Sequence, residues 1–111
     1  MMNMERFAHP GSRAAVETGP GVTRRVLLHT PELMLVEFSF GAGAIGPLHA
    51  HPHVQASYVA AGRFAVTIAG ETEILGAGAS FIVPPNAEHG VVAVEAGTLI
   101  DSFTPARADF L

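Results

Sequence analysis

Cysteine is absent from this chain of 111 residues, which excludes disulfide bonds and thiolate metal sites. Any bound metal must therefore be held by nitrogen and oxygen ligands. Charged residues are also sparse, at 14%, whereas hydrophobic residues make up 49% of the chain. That balance is typical of a folded globular protein, and the length predicts one domain over residues 1–111.

Positive charge is scarce and scattered. All basic residues are arginines, the net charge is −4, and only Arg24 and Arg25 are adjacent. A nucleic-acid-binding protein would carry an excess of positive charge arranged as a stripe or patch. We therefore expect no nucleic-acid partner.

Long hydrophobic runs are missing as well. No apolar stretch approaches the roughly 20 residues of a transmembrane helix. The start of the chain, Met1–Arg6, lacks the basic and then apolar regions of a signal peptide. These features predict no membrane partner and a cytoplasmic location.

Helical periodicity is absent, and short β-forming runs broken by turn residues take its place. The predicted runs are 25–28, 33–40, 54–60, 64–68, 73–75, 80–83, 91–94 and 98–103. Many short strands with regular turns predict an all-β sandwich or barrel over residues 22–111, and two strand-rich halves with glycine turns suit a jelly roll. Residues 1–21 are predicted to form an irregular arm that dangles or joins a neighbouring subunit. Because edge strands need cover, we expect a homodimer.

Histidines are concentrated in one segment, where His49, His51 and His53 alternate and are followed by Gln55. Residues two apart on a strand face the same side, and neutral imidazoles crowded there need a cation between their lone pairs. We predict a divalent transition metal, zinc, nickel, iron, manganese or cobalt, held by His49, His51, Gln55 and the distant His89. The alternative is an exposed strand that carries histidines by chance.

Two details refine this metal site. Pro52 is predicted to distort the strand, so His53 is expected to point elsewhere and not to bind the metal. Three imidazoles and one amide oxygen leave coordination positions open for water or substrate, which is typical of a catalytic site and not of a structural one.

The spacing resembles the cupin superfamily, whose first motif is G-x5-H-x-H-x3-4-E-x6-G. Gly43, His49, His51 and Gly62 fit it, with Gln55 in the place of the glutamate. The second motif is G-x5-P-x-G-x2-H-x3-N, and Gly78, Pro84 and His89 fit it. Two positions differ from the motif, with Asn86 in place of glycine and Ala93 in place of asparagine. The resemblance implies a cupin jelly-roll barrel with a divalent metal. Asn86 is acceptable because asparagine tolerates a positive φ.

The C-terminal segment adds polar residues to the same predicted cavity. Alternation places Leu99, Asp101 and Phe103 on one face, so Asp101 needs a partner inside, either the metal cavity or Arg107. In the functional interpretation, Asp101 exchanges protons, Arg107 grips a substrate carboxylate and Phe103 forms a wall for a sugar ring. The alternative is an Asp101–Arg107 ion pair that holds the tail, with Phe103 as ordinary core.

The histidine strand, the Pro-Pro-Asn-x-x-His turn and the Asp-x-Phe-Thr-Pro-x-Arg ending together resemble the KdgF-like family of small pectin-degradation cupins. This resemblance implies an enzyme that converts cyclic 4,5-unsaturated uronates from pectin or alginate into linear 5-keto-4-deoxyuronate. It also implies that Asp101, Phe103 and Arg107 line the site of this small-molecule substrate. The neutral Gln55 leaves the metal its full positive charge. The remaining alternatives are another cupin enzyme, a dioxygenase or a sugar isomerase, and a non-catalytic cupin that binds a small metabolite.

Overall fold

The computed structural model describes residues 5–111, in which eight β-strands and one short 3₁₀-helix alternate with loops. The strands are β1 (Val16–Gly19), β2 (Val22–His29), β3 (Met34–Phe40), β4 (Ile45–His49), β5 (Val54–Ile68), β6 (Glu71–Gly76), β7 (Ser80–Val83) and β8 (His89–Thr104). The 3₁₀-helix spans Ala108–Phe110. Within this part of the chain, no helix has the length and apolar character needed to cross a bilayer. The predicted all-β class is confirmed.

Alternating side chains divide each strand into an inward and an outward face. In β3, Met34 and Val36 are fully buried while Leu35 between them is exposed. In β8, Leu99, Asp101 and Phe103 are all buried, as the alternation predicted. The register places Val36 opposite Asp101, so the polar interior of the barrel begins directly beside its apolar core.

Two long strands, β5 and β8, connect the two halves of the jelly roll. The first half of β5 pairs with β7 and with the second half of β8, which also pairs with β3. The second half of β5 pairs with β6 and with the first half of β8, which also pairs with β4. One core cluster surrounds Phe64, and a smaller one of Met34, Val36 and Phe103 lies on β3 and β8.

Four of the predicted strands are in fact two, and the break predicted between runs 54–60 and 64–68 is a bulge at Gly62. Runs 54–60 and 64–68 form the single strand β5, and runs 91–94 and 98–103 form β8. The β5–β8 register shifts repeatedly between Val59 and Phe64. Gly62 has φ +82°, and a Cβ atom there would lie 2.4 Å from the carbonyl oxygen of Ala96. Bulges with glycine let a strand pass from one sheet to another without a turn.

Gly62→Ala is expected to destabilise the protein by about 3 kcal/mol or more, because overpacking adds to the left-handed backbone strain. Gly70→Ala is the matched control, since Gly70 has φ +85° but nothing within 4 Å of the added Cβ. The control should lose only about 1–2 kcal/mol, the strain alone. Urea unfolding measures both, and equal losses would show that the contact with β8 is unimportant.

The N-terminal arm contains one strand that the sequence interpretation did not predict. β1 pairs antiparallel with β2 of the same chain, with Gly19 opposite Val22. Pro20 and Gly21 form the two-residue connection, and Gly21 has φ +75°. Proline followed by glycine is a turn signal, so this connection corrects the prediction that residues 1–21 are irregular throughout. The first four residues of the arm lie outside the described residues.

Candidate active site

Three histidines converge at one end of the barrel. His49 ends β4, His89 begins β8, and the two are paired in the sheet. His51 lies in the loop between β4 and β5, so the prediction that one strand carries His49 and His51 is wrong. One ring nitrogen from each histidine lies within 4.8 Å of the others. The loop, and not strand alternation, therefore completes the cluster.

The imidazole orientation is fixed by the backbone. In His49, His51 and His89, Nδ1 faces a carbonyl oxygen, which can only accept, so Nδ1 carries the proton. The acceptors are the carbonyl oxygens of Pro47 at 2.9 Å, His53 at 3.1 Å and Ala87 at 2.9 Å. Each Nε2 then keeps its lone pair, which is how metal-binding histidines are oriented.

Burial keeps two of these rings neutral. It lowers the pKa of His51, and it lowers that of His89 to about 4. The Nε2 atom of His89 is buried and has no hydrogen-bond partner within residues 5–111. Unpaired buried acceptors are costly, so a cation at the centre of the cluster would relieve this one.

Gln55 presents its amide oxygen to the cluster. Its Nε2 donates to Ser57 Oγ at 3.0 Å and to Asp101 Oδ2 at 3.4 Å, which fixes the orientation of the amide. Its Oε1 lies 3.0 Å from His51 Nε2. Since the proton of His51 is on Nδ1, two acceptors face each other and repel unless a cation lies between them. Three imidazole nitrogens and an amide oxygen fit a divalent transition metal.

His53 lies outside the converging group. Its ring packs edge-on against His51, with 5.4 Å between ring centroids, and its Nδ1 is buried without a partner in the described chain. Pro52 and His53 form a bend before β5, and His53 is not among the three histidines whose ring nitrogens lie within 4.8 Å of one another. The exclusion of His53 from the metal ligands remains a prediction.

Asp101 is a buried carboxyl group, only 5% exposed, in the centre of β8. Burial raises its pKa to about 7, although the hydrogen bond with Ser57 opposes that shift. Its Oδ2 accepts the hydrogen bond from Gln55, and its Oδ1 has no partner in residues 5–111. A carboxyl group with a pKa near neutrality both accepts and donates protons at physiological pH.

Arg107 forms its ion pair with Asp109, so the alternative in which it pairs with Asp101 is wrong. Its Nε donates to Asp109 Oδ1 at 3.1 Å and its Nη2 to Oδ2 at 2.9 Å. This bidentate contact lowers the pKa of Asp109. The Arg107 guanidinium also lies 5.2 Å from the Phe103 ring centroid and 4.3 Å from that of Phe110. Asp109 and the two rings hold the guanidinium in place.

A cavity of about 430 Å³ connects these groups, a volume suited to a small metabolite. Six of the seven predicted site residues line it, namely His49, Gln55, His89, Asp101, Phe103 and Arg107. His51 belongs to the histidine cluster beside it. Arg24, Phe38 and Phe110 also line the cavity and were not predicted. Arg24 is two residues after the buried Val22 on β2, and residues two apart on a strand face the same side. That spacing was the sequence signal for Arg24 as a cavity residue.

The fold and the histidine cluster define a cupin, and comparison with known proteins agrees. The cupin domain family matches residues 36–101, and the chain belongs to that family. It is 47% identical over 97 residues to the pectin degradation protein KdgF of Dickeya dadantii, covering 86% of this chain and 88% of that protein. The resemblance to KdgF-like cupins is thus confirmed.

Two solved structures are similar over nearly the whole chain. An RmlC-like cupin from Shewanella frigidimarina superposes with a TM-score of 0.94 at 43% identity, covering 100% of both chains. KdgF from Halomonas sp. superposes with a TM-score of 0.92 at 38% identity, covering 96% of this chain and 99% of that one. The cupin jelly-roll fold predicted from the motifs is confirmed.

Proposed function

We propose that this protein is a metal-dependent enzyme that opens and ketonises the ring of 4,5-unsaturated uronate monosaccharides from pectin or alginate breakdown. The observation that carries the proposal is one cavity that unites a histidine cluster, a buried carboxyl group and an arginine. The similarity to proteins named KdgF, one of them described as a pectin degradation protein, supports a substrate that comes from pectin breakdown. The product is the linear 5-keto-4-deoxyuronate.

We propose that His49, His51, His89 and the Gln55 oxygen hold the metal. When bound, the metal polarises and orients oxygen atoms of the sugar. Because Gln55 is neutral, it does not offset the metal charge, which suits the binding of an anionic sugar. The same amide donates to Asp101 and so ties the metal site to the proton-transfer group.

Asp101 is the proposed acid and base. It removes the proton of the anomeric hydroxyl as the C1–O5 bond breaks and the C1 carbonyl forms. A proton is then delivered to C4 as the C5 enol becomes a ketone, so atoms balance without any redox change. The ionisation of Asp101 near neutrality fits both transfers. Phe103 forms the wall against the sugar ring, and Arg107 contacts the substrate carboxylate.

The test follows the ultraviolet absorbance of the conjugated enol ether when purified enzyme is added to an unsaturated monouronate. We expect metal-loaded protein to consume the enol ether far faster than the spontaneous reaction, and chelator-treated protein to lose that acceleration. A rate equal to the spontaneous one would refute the proposal. Oxygen consumption with iron-loaded protein would indicate a dioxygenase. Metal retention without turnover of any uronate would indicate a binding protein.

Three further predictions accompany the proposal. The metal is one of zinc, nickel, iron, manganese or cobalt, and elemental analysis of untagged protein identifies it.

A second copy of the chain is the proposed partner, because an apolar row crosses β4, β8, β5 and β6 on the outer surface. In that row Ile45 is 58% exposed, Val92 41% and Ile74 56%. The cytoplasmic location stays a prediction.

A further inference from the structure

We propose that Arg24 is a specificity-determining residue that, together with Arg107, binds the carboxylate of the substrate and contributes the cavity's uncompensated positive charge. This inference rests on the proposed function, since it assumes an anionic sugar. It goes beyond that function by assigning substrate selection to a residue on β2, outside both cupin motifs and outside the C-terminal segment.

The strand register directs Arg24 into the barrel. Arg24 is opposite Phe38 on β3, which in turn is opposite the buried Leu99 on β8. Residues directly opposite one another in antiparallel strands share a face, so all three face the interior. Arg24 accordingly lines the cavity that contains His49 and Asp101.

Arg25, the next residue, shows the contrast. Adjacent residues on a strand point to opposite faces, and Arg25 pairs on the outer face with Glu37 at 3.3 Å. Arg25 does not line the cavity. The two arginines are identical in chemistry and adjacent in sequence, but only Arg24 is within reach of a ligand.

Phe110 holds the Arg24 guanidinium in position. The Cζ atom of Arg24 lies 4.1 Å from the Phe110 ring centroid, and the Cζ atom of Arg107 lies 4.3 Å from the same centroid. Both guanidinium groups therefore lie against the same phenyl ring. Stacking on a ring leaves the planar edge of a guanidinium free to bind a carboxylate.

The two arginines differ in how their charge is compensated. Asp109 already occupies the Nε and Nη2 atoms of Arg107 through two hydrogen bonds. Arg24 makes no ion pair or side-chain hydrogen bond with any residue of the range 5–111. The acidic group inside the cavity, Asp101, is hydrogen-bonded to Gln55 and not to Arg24. A guanidinium without a counter-ion, facing a cavity, is a ready site for a carboxylate.

Steady-state kinetics of Arg24→Gln test this role. A carboxylate contact that is equally strong in the ground state and the transition state affects KM and not kcat. We therefore expect KM for the unsaturated uronate to rise about 10–100-fold while kcat changes less than about threefold, with partial rescue in Arg24→Lys. Arg25→Gln is the matched control and should leave both constants unchanged. If Arg24→Gln does not fold, Arg24→Met and Arg24→Lys supply the same comparison, because both keep an apolar stem over Phe110.

Binding of a saturated sugar separates this inference from the proposed function. Calorimetry with D-galacturonate, and with the neutral D-galactose as reference, requires no turnover. We expect wild type and Arg25→Gln to bind galacturonate more tightly than galactose. In Arg24→Gln the ratio of the two Kd values should fall by at least about tenfold.

The outcomes are distinct. Turnover by wild type with an unchanged KM in Arg24→Gln overturns the inference and leaves the proposed function intact. Absence of turnover in wild type removes the proposed function, and an Arg24-dependent preference for galacturonate then still supports a carboxylate site. No preference for galacturonate in wild type, or equal preference in Arg24→Gln, overturns the inference.

Discussion

His89→Ala is expected to abolish tight metal binding and to lower kcat/KM by about a thousandfold or more, since a catalytic site needs three protein ligands. His89 contributes the Nε2 atom that is buried without a partner in the described chain. Its removal leaves two imidazoles and a weakly donating amide oxygen. Elemental analysis after dialysis measures the metal, and the enol-ether assay measures activity.

A thermal readout makes this prediction independent of activity. A metal at 100 times its Kd stabilises a protein by about 2.7 kcal/mol, which raises Tm by several degrees for a domain of this size. Wild type should show that rise on metal addition and His89→Ala should not. His53→Ala and His29→Ala are the controls, because both residues lie outside the converging cluster. If His53→Ala loses metal as completely as His89→Ala, the ligand assignment is wrong.

Local sequence rules predicted the parts of the site that depend on parity and turn chemistry. Asn86 stands at a glycine position of the cupin pattern and has φ +65°, a conformation that asparagine tolerates. The backbone N–H of Asn86 donates to the carbonyl oxygen of His51 at 2.7 Å, which ties the second motif to the first. The burial of Asp101 and Phe103 likewise followed from simple alternation on β8.

The features that sequence did not predict depend on how distant segments meet. A glycine such as Gly62 marks a turn and a bulge equally well, so the continuity of β5 could not be read locally. The choice of Asp109 as the partner of Arg107 depends on the 3₁₀-helix that follows β8. The inward direction of Arg24 shows only in its parity with the buried Val22 on β2, and the predicted run 25–28 includes neither residue.

Asp101→Asn is expected to lower kcat by about 10²–10⁴-fold with the metal retained, because proton transfer by a positioned side chain contributes that much. Asparagine has nearly the same shape and still accepts from Gln55, but it does not exchange protons. Elemental analysis should show the same metal content as wild type. Loss of the metal together with activity would mean that Asp101 is needed for the metal site and is not specific to proton transfer.

The same substitution should stabilise the metal-free protein at alkaline pH. Burial raises the pKa of Asp101 to about 7 in the folded state, above its ordinary value when unfolded. The folded state therefore holds this proton more tightly, and stability is lost as the pH rises from about 4 through 7. Asparagine has no such dependence. We expect the stability of Asp101→Asn relative to wild type to rise by about 4 kcal/mol between pH 4 and pH 8, since each unit of pKa shift corresponds to about 1.4 kcal/mol.

Urea unfolding in the presence of chelator, at pH 8 and again near pH 4, measures this difference. Asp109→Asn is the control of opposite sign, because Arg107 lowers the pKa of Asp109, and its carboxylate stabilises the fold at neutral pH and not in acid. An Asp101→Asn variant that is less stable than wild type at pH 8 would contradict the burial argument. Greater stability combined with lost turnover would instead show that the buried, half-satisfied carboxyl group is retained for chemistry at the expense of the fold.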